Sequence, residues 1–308
     1  MHVRFERPIF ISLLFVFFSF GCARTGAKEG MYGDCNNEAV DGYQTLTDGD
    51  ITREYILHLP ANYDANAEYP LVISFHGNSG CAGAFGSASY GGDGNSDLSS
   101  QADSNGFIVA YPQGIARSKG NTEWDPGDNG ATNINDNDVY FVQQLIADIS
   151  SKHSINGTQI YATGYSNGGM MSYGLACTLG SQIAAVGIMS GIMLEGTCIE
   201  TDYTPVIHFH GTNDYALPYD GSGDFQSVED VISFWVSHNQ ITDPPVTTTS
   251  NNGQVTLDSY SGGAEESSVL LYTIEGGGHV WFDQEIDGQR SNDILWNFLS
   301  GYDLNGRL

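Results

Sequence analysis

From Ile51 onward the chain alternates short apolar runs with stretches whose apolar residues recur at helical spacing. Runs over 53–59, 71–75, 107–111, 159–163, 184–189, 205–210 and 268–274 are predicted as strands. Several are continuous and β-branched, the composition of strands covered on both faces. Helices are predicted over 96–104, 138–152, 167–179, 225–237 and 291–299. In the second of these, Val139, Val142, Leu145, Ile146 and Ile149 share one face. This alternation predicts an α/β fold, a mostly parallel central sheet with helices on both faces. No internal repeat or interdomain linker interrupts it, so 43–308 reads as a single domain. Two segments follow neither period: 118–137, rich in Gly, Asn and Asp around Trp124, and 242–252, rich in Pro, Thr and Asn. The latter is expected to be a surface connection.

Ahead of the domain, Arg4 and Arg7 precede an apolar run from Ile9 to Phe20 that is too short to span a bilayer comfortably, so 1–22 reads as an export signal. Ser19-Phe20-Gly21-Cys22 fits a loose lipobox, in which the Cys22 thiol is lipidated and becomes the mature N-terminus. Ser19 departs from the usual aliphatic residue, and ordinary cleavage near Gly21 is the other reading. Residues 23–42 then form a polar tether. The expected location is outside the cytoplasm, secreted or as a bacterial cell-surface or outer-membrane lipoprotein. Setting Cys22 aside leaves Cys35, Cys81, Cys177 and Cys198, an even number in an exported chain, with three possible pairings.

Charge narrows the partners. Ten basic against 37 acidic residues give a formal net charge of −27, which repels nucleic acid and anionic lipid headgroups. Membrane contact is expected only through the N-terminal lipid. The sequence from Asp93 to Asp97 resembles the start of a calcium loop, but Leu98 and Ser104 stand where the turn glycine and bidentate glutamate belong. No cysteine or histidine cluster has metal-ligand spacing, and neither metal nor cofactor is expected. Nothing in the sequence fixes the oligomeric state.

The strongest chemical signal is Gly164-Tyr165-Ser166-Asn167-Gly168, between a predicted strand and a predicted helix. A tight strand-to-helix turn lifts a serine hydroxyl above the sheet and aims the helix N-terminus at developing negative charge. A serine needs a base, and the base an orienting acid; in α/β-hydrolase folds they follow in the order acid, then histidine. The strand over 205–210 runs into Asp214, and the last strand runs into Glu275-Gly276-Gly277-Gly278-His279, whose glycines are expected to lend the reach that brings an imidazole over the serine. Of eight histidines, His2 lies in the signal, His58 before the core sheet, His153 and His238 after helices, and His208 and His210 on a buried strand. Asp220 and Asp230 lie farther from the strand end, and Asp202 lies at the wrong edge. Ser166, His279 and Asp214 are therefore the expected nucleophile, base and acid. Main-chain N–H groups of Asn167 and of Asn78, with Ser79 as the fallback, are expected to form the oxyanion hole. Trp281 and Trp124 are candidates for an aromatic wall against the substrate, Trp281 equally for a packing residue. Tyr165 is expected to pack beneath the elbow.

Phe75-His76-Gly77, Tyr111-Pro112-Gln113-Gly114, Asp138 to Val142, Ile160 to Met171, His210 to Asp214 and Gly276 to Trp281 occur in this order. In them the chain resembles the secreted feruloyl esterases, acetyl xylan esterases and polyhydroxybutyrate depolymerase-like proteins of the carbohydrate esterase family 1 neighbourhood. The resemblance implies an α/β-hydrolase fold, the same three catalytic groups and a shallow cleft beside them. It also implies disulfides in these regions, in keeping with a Cys177–Cys198 pair, which would leave Cys35 with Cys81. One departure is Asn78, where many depolymerase-like members carry a cysteine; here the cysteine falls three positions later, at Cys81. The implied activity is removal of feruloyl or acetyl groups from ester-decorated polysaccharide or oligosaccharide. The alternatives are a polyester depolymerase and a noncatalytic binding protein on the same fold.

Overall fold

The computed structural model describes residues 35, 42–86, 96–117, 121–127, 134–135, 137–194, 198, 202–223 and 225–308. The export signal, Cys22, the tether apart from Cys35 and Gly42, and Asp93 to Asn95 lie outside them. The 10-stranded sheet is built from β1 (Tyr43–Asp48), β2 (Ile51–His58), β3 (Tyr69–Phe75), β4 (Ile108–Pro112), β5 (Ile155–Tyr165), β6 (Ala185–Met189), β7 (Val206–Gly211), β8 (Val246–Ser250), β9 (Val255–Tyr260) and β10 (Val269–Ile274). Its spatial order is β1-β2-β4-β3-β5-β6-β7-β10-β9-β8. The run from β4 to β10 is parallel throughout. Both margins are antiparallel.

Alternation along the strands sends successive side chains to opposite faces. On β3, Leu71, Ile73 and Phe75 enter one apolar cluster and Val72 the other; on β7, Val206 enters the first, Ile207 and Phe209 the second. The first face is covered by α3 (Asp138–Lys152), α4 (Asn167–Thr178) and α5 (Val228–His238). The second is covered by α1 (Ala82–Phe85), α2 (Ser99–Asn105) and α6 (Ser291–Leu299). The helix starts are chemically marked: Asn137 accepts the Tyr140 N–H at 2.9 Å, and Ser227 Oγ accepts the Asp230 N–H at 3.0 Å.

The surface connection expected at 242–252 is in part strand β8, whose residues Val246 to Thr249 are exposed at the sheet margin. Its threonines suit a pleated edge, and with water on both faces no apolar alternation is needed there. β1 and β9 likewise carry no sequence signal strong enough to have been expected. His58, read as preceding the core sheet, lies within it on β2, beside β4.

Of the three possible cysteine pairings the chain adopts Cys35–Cys81 and Cys177–Cys198. Each is worth about 2–4 kcal/mol through restriction of the unfolded chain. Bonds of this kind form outside the reducing cytosol, so the protein is an exported one. Cys35, which falls within the stretch read as tether, is itself buried.

The chain leaves β3 for β4 on one side, then returns to β5 on the other. That reversal opens a crevice at the carboxyl ends of β3 and β5, the position where open α/β sheets bind ligands.

Candidate active site

Ser166 sits in this crevice, between the last residue of β5 and the first of α4. Its backbone, at φ 55° and ψ −119°, is in a region that side-chain-bearing residues seldom enter. The flanking glycines make that turn possible. A Cβ on Gly164 would lie 2.3 Å from the Gly168 carbonyl oxygen, and one on Gly168 would lie 2.2 Å from that of Phe75. The Ser166 N–H donates to the Met189 carbonyl at 3.0 Å, which ties the elbow to the end of β6.

The sequence candidates Ser166, His279 and Asp214 come together. His279 Nε2 is 2.8 Å from Ser166 Oγ, and His279 Nδ1 is 2.7 Å from Asp214 Oδ2, although 113 and 65 residues separate the partners. With the Nδ1 hydrogen donated to the carboxylate, Nε2 is left as acceptor for the serine hydroxyl. Asp214 Oδ1 accepts the N–H groups of Ala216 and Leu217, each at 2.8 Å. Burial alone would raise the Asp214 carboxyl. Hydrogen bonds from His210, His279 and the Leu217 N–H outweigh it and hold the group well below the usual carboxylate range.

The glycine loop before His279 is fastened rather than loose. Thr212 Oγ1 accepts the Gly276 N–H, Asn213 N–H donates to the Gly277 carbonyl, and Ser190 Oγ donates to the Val280 carbonyl. Gly211 is needed for contact: a Cβ there would lie 2.1 Å from the Gly277 carbonyl oxygen. Of the three loop glycines only Gly277 is packed close, against Gly211; Gly276 turns at φ 70°, and both it and Gly278 have open space where a Cβ would stand. Tyr165 does pack against the elbow, and its hydroxyl also donates to the His279 carbonyl at 2.8 Å.

Asn167 is the first residue of α4, so no helical carbonyl is placed to accept its N–H. On the facing loop the Ser79 N–H donates to the Thr122 carbonyl at 2.7 Å, which removes the fallback donor and leaves Asn78. These two segments are clamped by Trp124. Its N–H donates to Asn167 Oδ1 at 2.7 Å, its carbonyl accepts from Asn167 Nδ2 at 3.1 Å, and its indole N–H donates to the His76 carbonyl at 2.9 Å. Trp124 is 3% exposed, with its ring edge-on to Phe75, so it presents no wall to a ligand. Of the two readings of Trp281, wall or packing residue, the second fits: it is 3% exposed, packs edge-on to Phe85 and donates its indole N–H to Asn292 Oδ1. Among the described residues, the aromatic ring that faces solvent beside His279 is Tyr215. It is 83% exposed, with its centroid 6.1 Å from the His279 ring. Its sequence position directly after the acid was the only signal that could have found it.

Beneath the Trp124 loop lies a buried ion pair. Arg53 Nη1 donates to Asp138 Oδ1 at 2.6 Å and to the Ile134 carbonyl at 2.8 Å, and Asp138 Oδ2 accepts from Arg117 Nη2 and from the Asp125 N–H. Asp125 adjoins Trp124, so this carboxylate supports the clamp. His76 is the other buried polar group of the loop. Its Nδ1 donates to the Gly77 carbonyl and its Nε2 accepts the Gly114 N–H. Burial pushes this imidazole down to about 4, assisted by Arg53 and opposed by the Gly77 hydrogen bond and by Asp138. The unfolded imidazole takes up its proton from about pH 6.5 downward, the folded one only near pH 4. Stability is therefore expected to fall by about 3 kcal/mol as pH drops through this window. Urea unfolding at both ends of the window tests this, with His76→Gln expected to lose less than wild type; an equal loss in both would remove His76 as the cause.

The remaining histidines have partners of their own. His58 pairs with Asp103, His153 with Tyr63, and His238 with the Asp202 carbonyl. His208 and His210 are fully buried on β7, as expected of core residues, but His210 also reaches Asp214 Oδ2, at 3.3 Å.

The chain is similar to several known proteins. The probable feruloyl esterase C of Aspergillus terreus is 29% identical over 255 residues, 81% of this chain and 84% of that one. The feruloyl esterase C of Emericella nidulans is 28% identical over 284 residues, 89% and 94% of the two chains. Among solved structures, acetyl xylan esterase from Aspergillus awamori superposes with a TM-score of 0.60 at 16% identity, covering 84% of this chain and 99% of that one. The CE1 ferulic acid esterase of Anaeromyces mucronatus, in complex with ferulic acid, gives 0.52 at 15% identity, covering 84% and 89%. These structures share the α/β-hydrolase fold. Residues 53–256 match the family described as esterase PHB depolymerase. That match runs through the strands bearing the elbow and the aspartate, and on this ground the chain belongs to the esterase PHB depolymerase family and is a carboxylic ester hydrolase.

Proposed function

We propose that the protein removes feruloyl or acetyl groups from plant or algal polysaccharide, by way of an acyl-enzyme on Ser166. The observation that carries this reading is the unbroken hydrogen-bond line from Ser166 Oγ through the His279 imidazole to Asp214. Ser166 Oγ attacks the ester carbonyl as His279 Nε2 takes its proton, and Asp214 stabilises the imidazolium. The oxyanion accepts hydrogen bonds from the main-chain N–H groups of Asn167 and Asn78. His279 then returns the proton to the departing alkoxide, the sugar oxygen. A water molecule, deprotonated by the same imidazole, cleaves the acyl-serine and releases the acid.

The acyl class is read from the feruloyl and acetyl xylan esterase relatives, and Tyr215 supplies an exposed ring beside His279 on which an aromatic acyl group or a sugar face stacks. Release of ferulate from methyl ferulate or of acetate from acetylated xylan is the expected result. Clearing of a polyester film in their place would redirect the assignment to polyester depolymerisation, and no hydrolysis of any of the three would favour a binding role. Tyr215→Ala is expected to raise KM for the aryl ester about three- to tenfold with little change in kcat, the loss of one stacking contact.

The chain is further proposed to be an exported bacterial lipoprotein, with 1–22 as signal, Cys22 lipidated, 23–42 as tether and 43–308 as catalytic domain. The sequence from Arg4 to Cys22 supports this. Mass analysis of the mature N-terminus tests it; an unmodified residue at 22 or beyond would refute the anchor.

A further inference from the structure

Strand β7 carries more than the aspartate at its end. His208 and His210, two residues apart, project from one face of it, and both are fully buried with their rings stacked at 5.2 Å. Tyr173 of α4 places its hydroxyl 2.6 Å from His208 Nδ1. His208 Nε2 is 3.0 Å from His210 Nδ1. His210 Nε2 is 2.9 Å from the Leu217 carbonyl and 3.3 Å from Asp214 Oδ2.

The direction of these bonds follows from the far end. A carbonyl oxygen and a carboxylate only accept, so His210 Nε2 must carry its hydrogen. A neutral imidazole has a single N–H, which makes His210 Nδ1 an acceptor and His208 Nε2 its donor. His208 Nδ1 then accepts from the Tyr173 hydroxyl. Every ring nitrogen is satisfied, and one polarity runs through the whole line toward the Asp214 carboxylate. Burial favours the neutral form of His208 and the protonated hydroxyl of Tyr173.

We propose that Tyr173, His208 and His210 are positioning residues for ester cleavage, a one-way relay whose last N–H, on His210, fixes the Asp214 carboxylate in the ionised, oriented state that His279 requires. This rests on the reading of Ser166, His279 and Asp214 as the catalytic groups. Asp214 Oδ2 thus lies between two imidazoles, His279 on the solvent side and His210 on the core side, while Oδ1 is held by the Ala216 and Leu217 N–H groups. The other titratable group packed on His210 is Tyr219, edge-on at 6.0 Å, whose hydroxyl is bonded to Thr273 Oγ1 on β10 and which feels Glu229, Asp258 and Asp220. Removing the His210 donor leaves a more basic carboxylate. The Asp214–His279 unit then takes up its proton at higher pH, which inactivates the base earlier on the way down.

The test compares His210→Met, which has no donor, with His210→Gln, which keeps an amide N–H near the Nε2 position, using p-nitrophenyl acetate. His210→Met is expected to lose about tenfold in kcat with KM held, and its acid limb is expected to move up by about half a pH unit or more. His210→Gln is expected to recover most of both. A residue that merely fills the core would lower stability in the two variants and leave the limb in place, which overturns the proposal. Should methionine prevent folding, nitrogen-15 NMR of the wild-type imidazoles decides. His208 and His210 should both be neutral with the hydrogen on Nε2; a hydrogen on His210 Nδ1, alone or as part of a cation, overturns the relay. Failure of the underlying catalytic reading would show separately, as activity that survives Ser166→Ala.

Discussion

Ser166→Ala is expected to lower kcat for p-nitrophenyl acetate by about a millionfold, leaving only what the oxyanion donors and substrate positioning supply. The size of the loss comes from the chemistry: with no hydroxyl beside His279 Nε2, neither nucleophile nor proton donor remains on that side of the imidazole. The substitution is otherwise gentle. Alanine keeps the Cβ and therefore meets the same backbone strain at φ 55° that serine already bears. The Ser166 N–H bond to Met189 and the contacts of Gly164 and Gly168 do not involve the side chain. Folding stability and KM are accordingly expected to stay near wild type. Purified variant and wild type should therefore differ in initial rate while sharing one urea midpoint. Activity within tenfold of wild type, about 1.4 kcal/mol of barrier, would mean that another group performs the attack.

Much of this site is legible in the sequence, for identifiable reasons. The central strands are buried on both faces, so their apolar runs need no long-range context to be recognised, and α3 and α6 begin and end at the predicted residues. The elbow is a local motif with its strand and helix on either side. Asp214 and His279 were reachable because the fold fixes their chain order and each lies in the loop that follows a strand. What stayed hidden depends on partners far away in sequence or on side-chain direction. Trp281 lies two residues past the base in sequence and Trp124 in a polar loop segment, which made both candidates for ligand contacts; the direction of each indole, toward Asn292 and His76, is set by the fold. His208 and His210 were read as satisfied core residues, and they are buried, but the hydroxyl that satisfies His208 lies 35 residues upstream on α4. Edge strand β8 was missed because an exposed margin imposes no apolar pattern on its sequence.

The deepest of these hidden contacts carries the largest stability effect. Asp138→Ala is expected to cost about 3–5 kcal/mol, because it strands the Arg53 guanidinium in the core. Arg53 and Asp138 are 0% exposed, 85 residues apart, on β2 and at the first position of α3. Arg53 also lies over the Phe141 ring, with its carbon 3.7 Å from the centroid, and donates to the Gln113 and Ile134 carbonyls. Those contacts keep the guanidinium in place after its counter-charge is gone, and water cannot readily replace the carboxylate. Arg117→Ala removes the partly exposed partner of the same carboxylate and is expected to cost under about 1 kcal/mol. The double substitution Arg53→Met with Asp138→Leu removes both charges and is expected to recover much of the single-variant loss, since the desolvation penalty disappears with the attraction. Urea midpoints for the three variants measure these differences. Asp138→Ala within about 1 kcal/mol of wild type would show that solvent reaches Arg53. Through the Asp125 N–H the same carboxylate supports Trp124, so Asp138→Ala is also expected to lower kcat under conditions where the variant remains folded. That loss ties the buried pair to the main-chain geometry at Asn167 and separates its effect on the site from its effect on the fold.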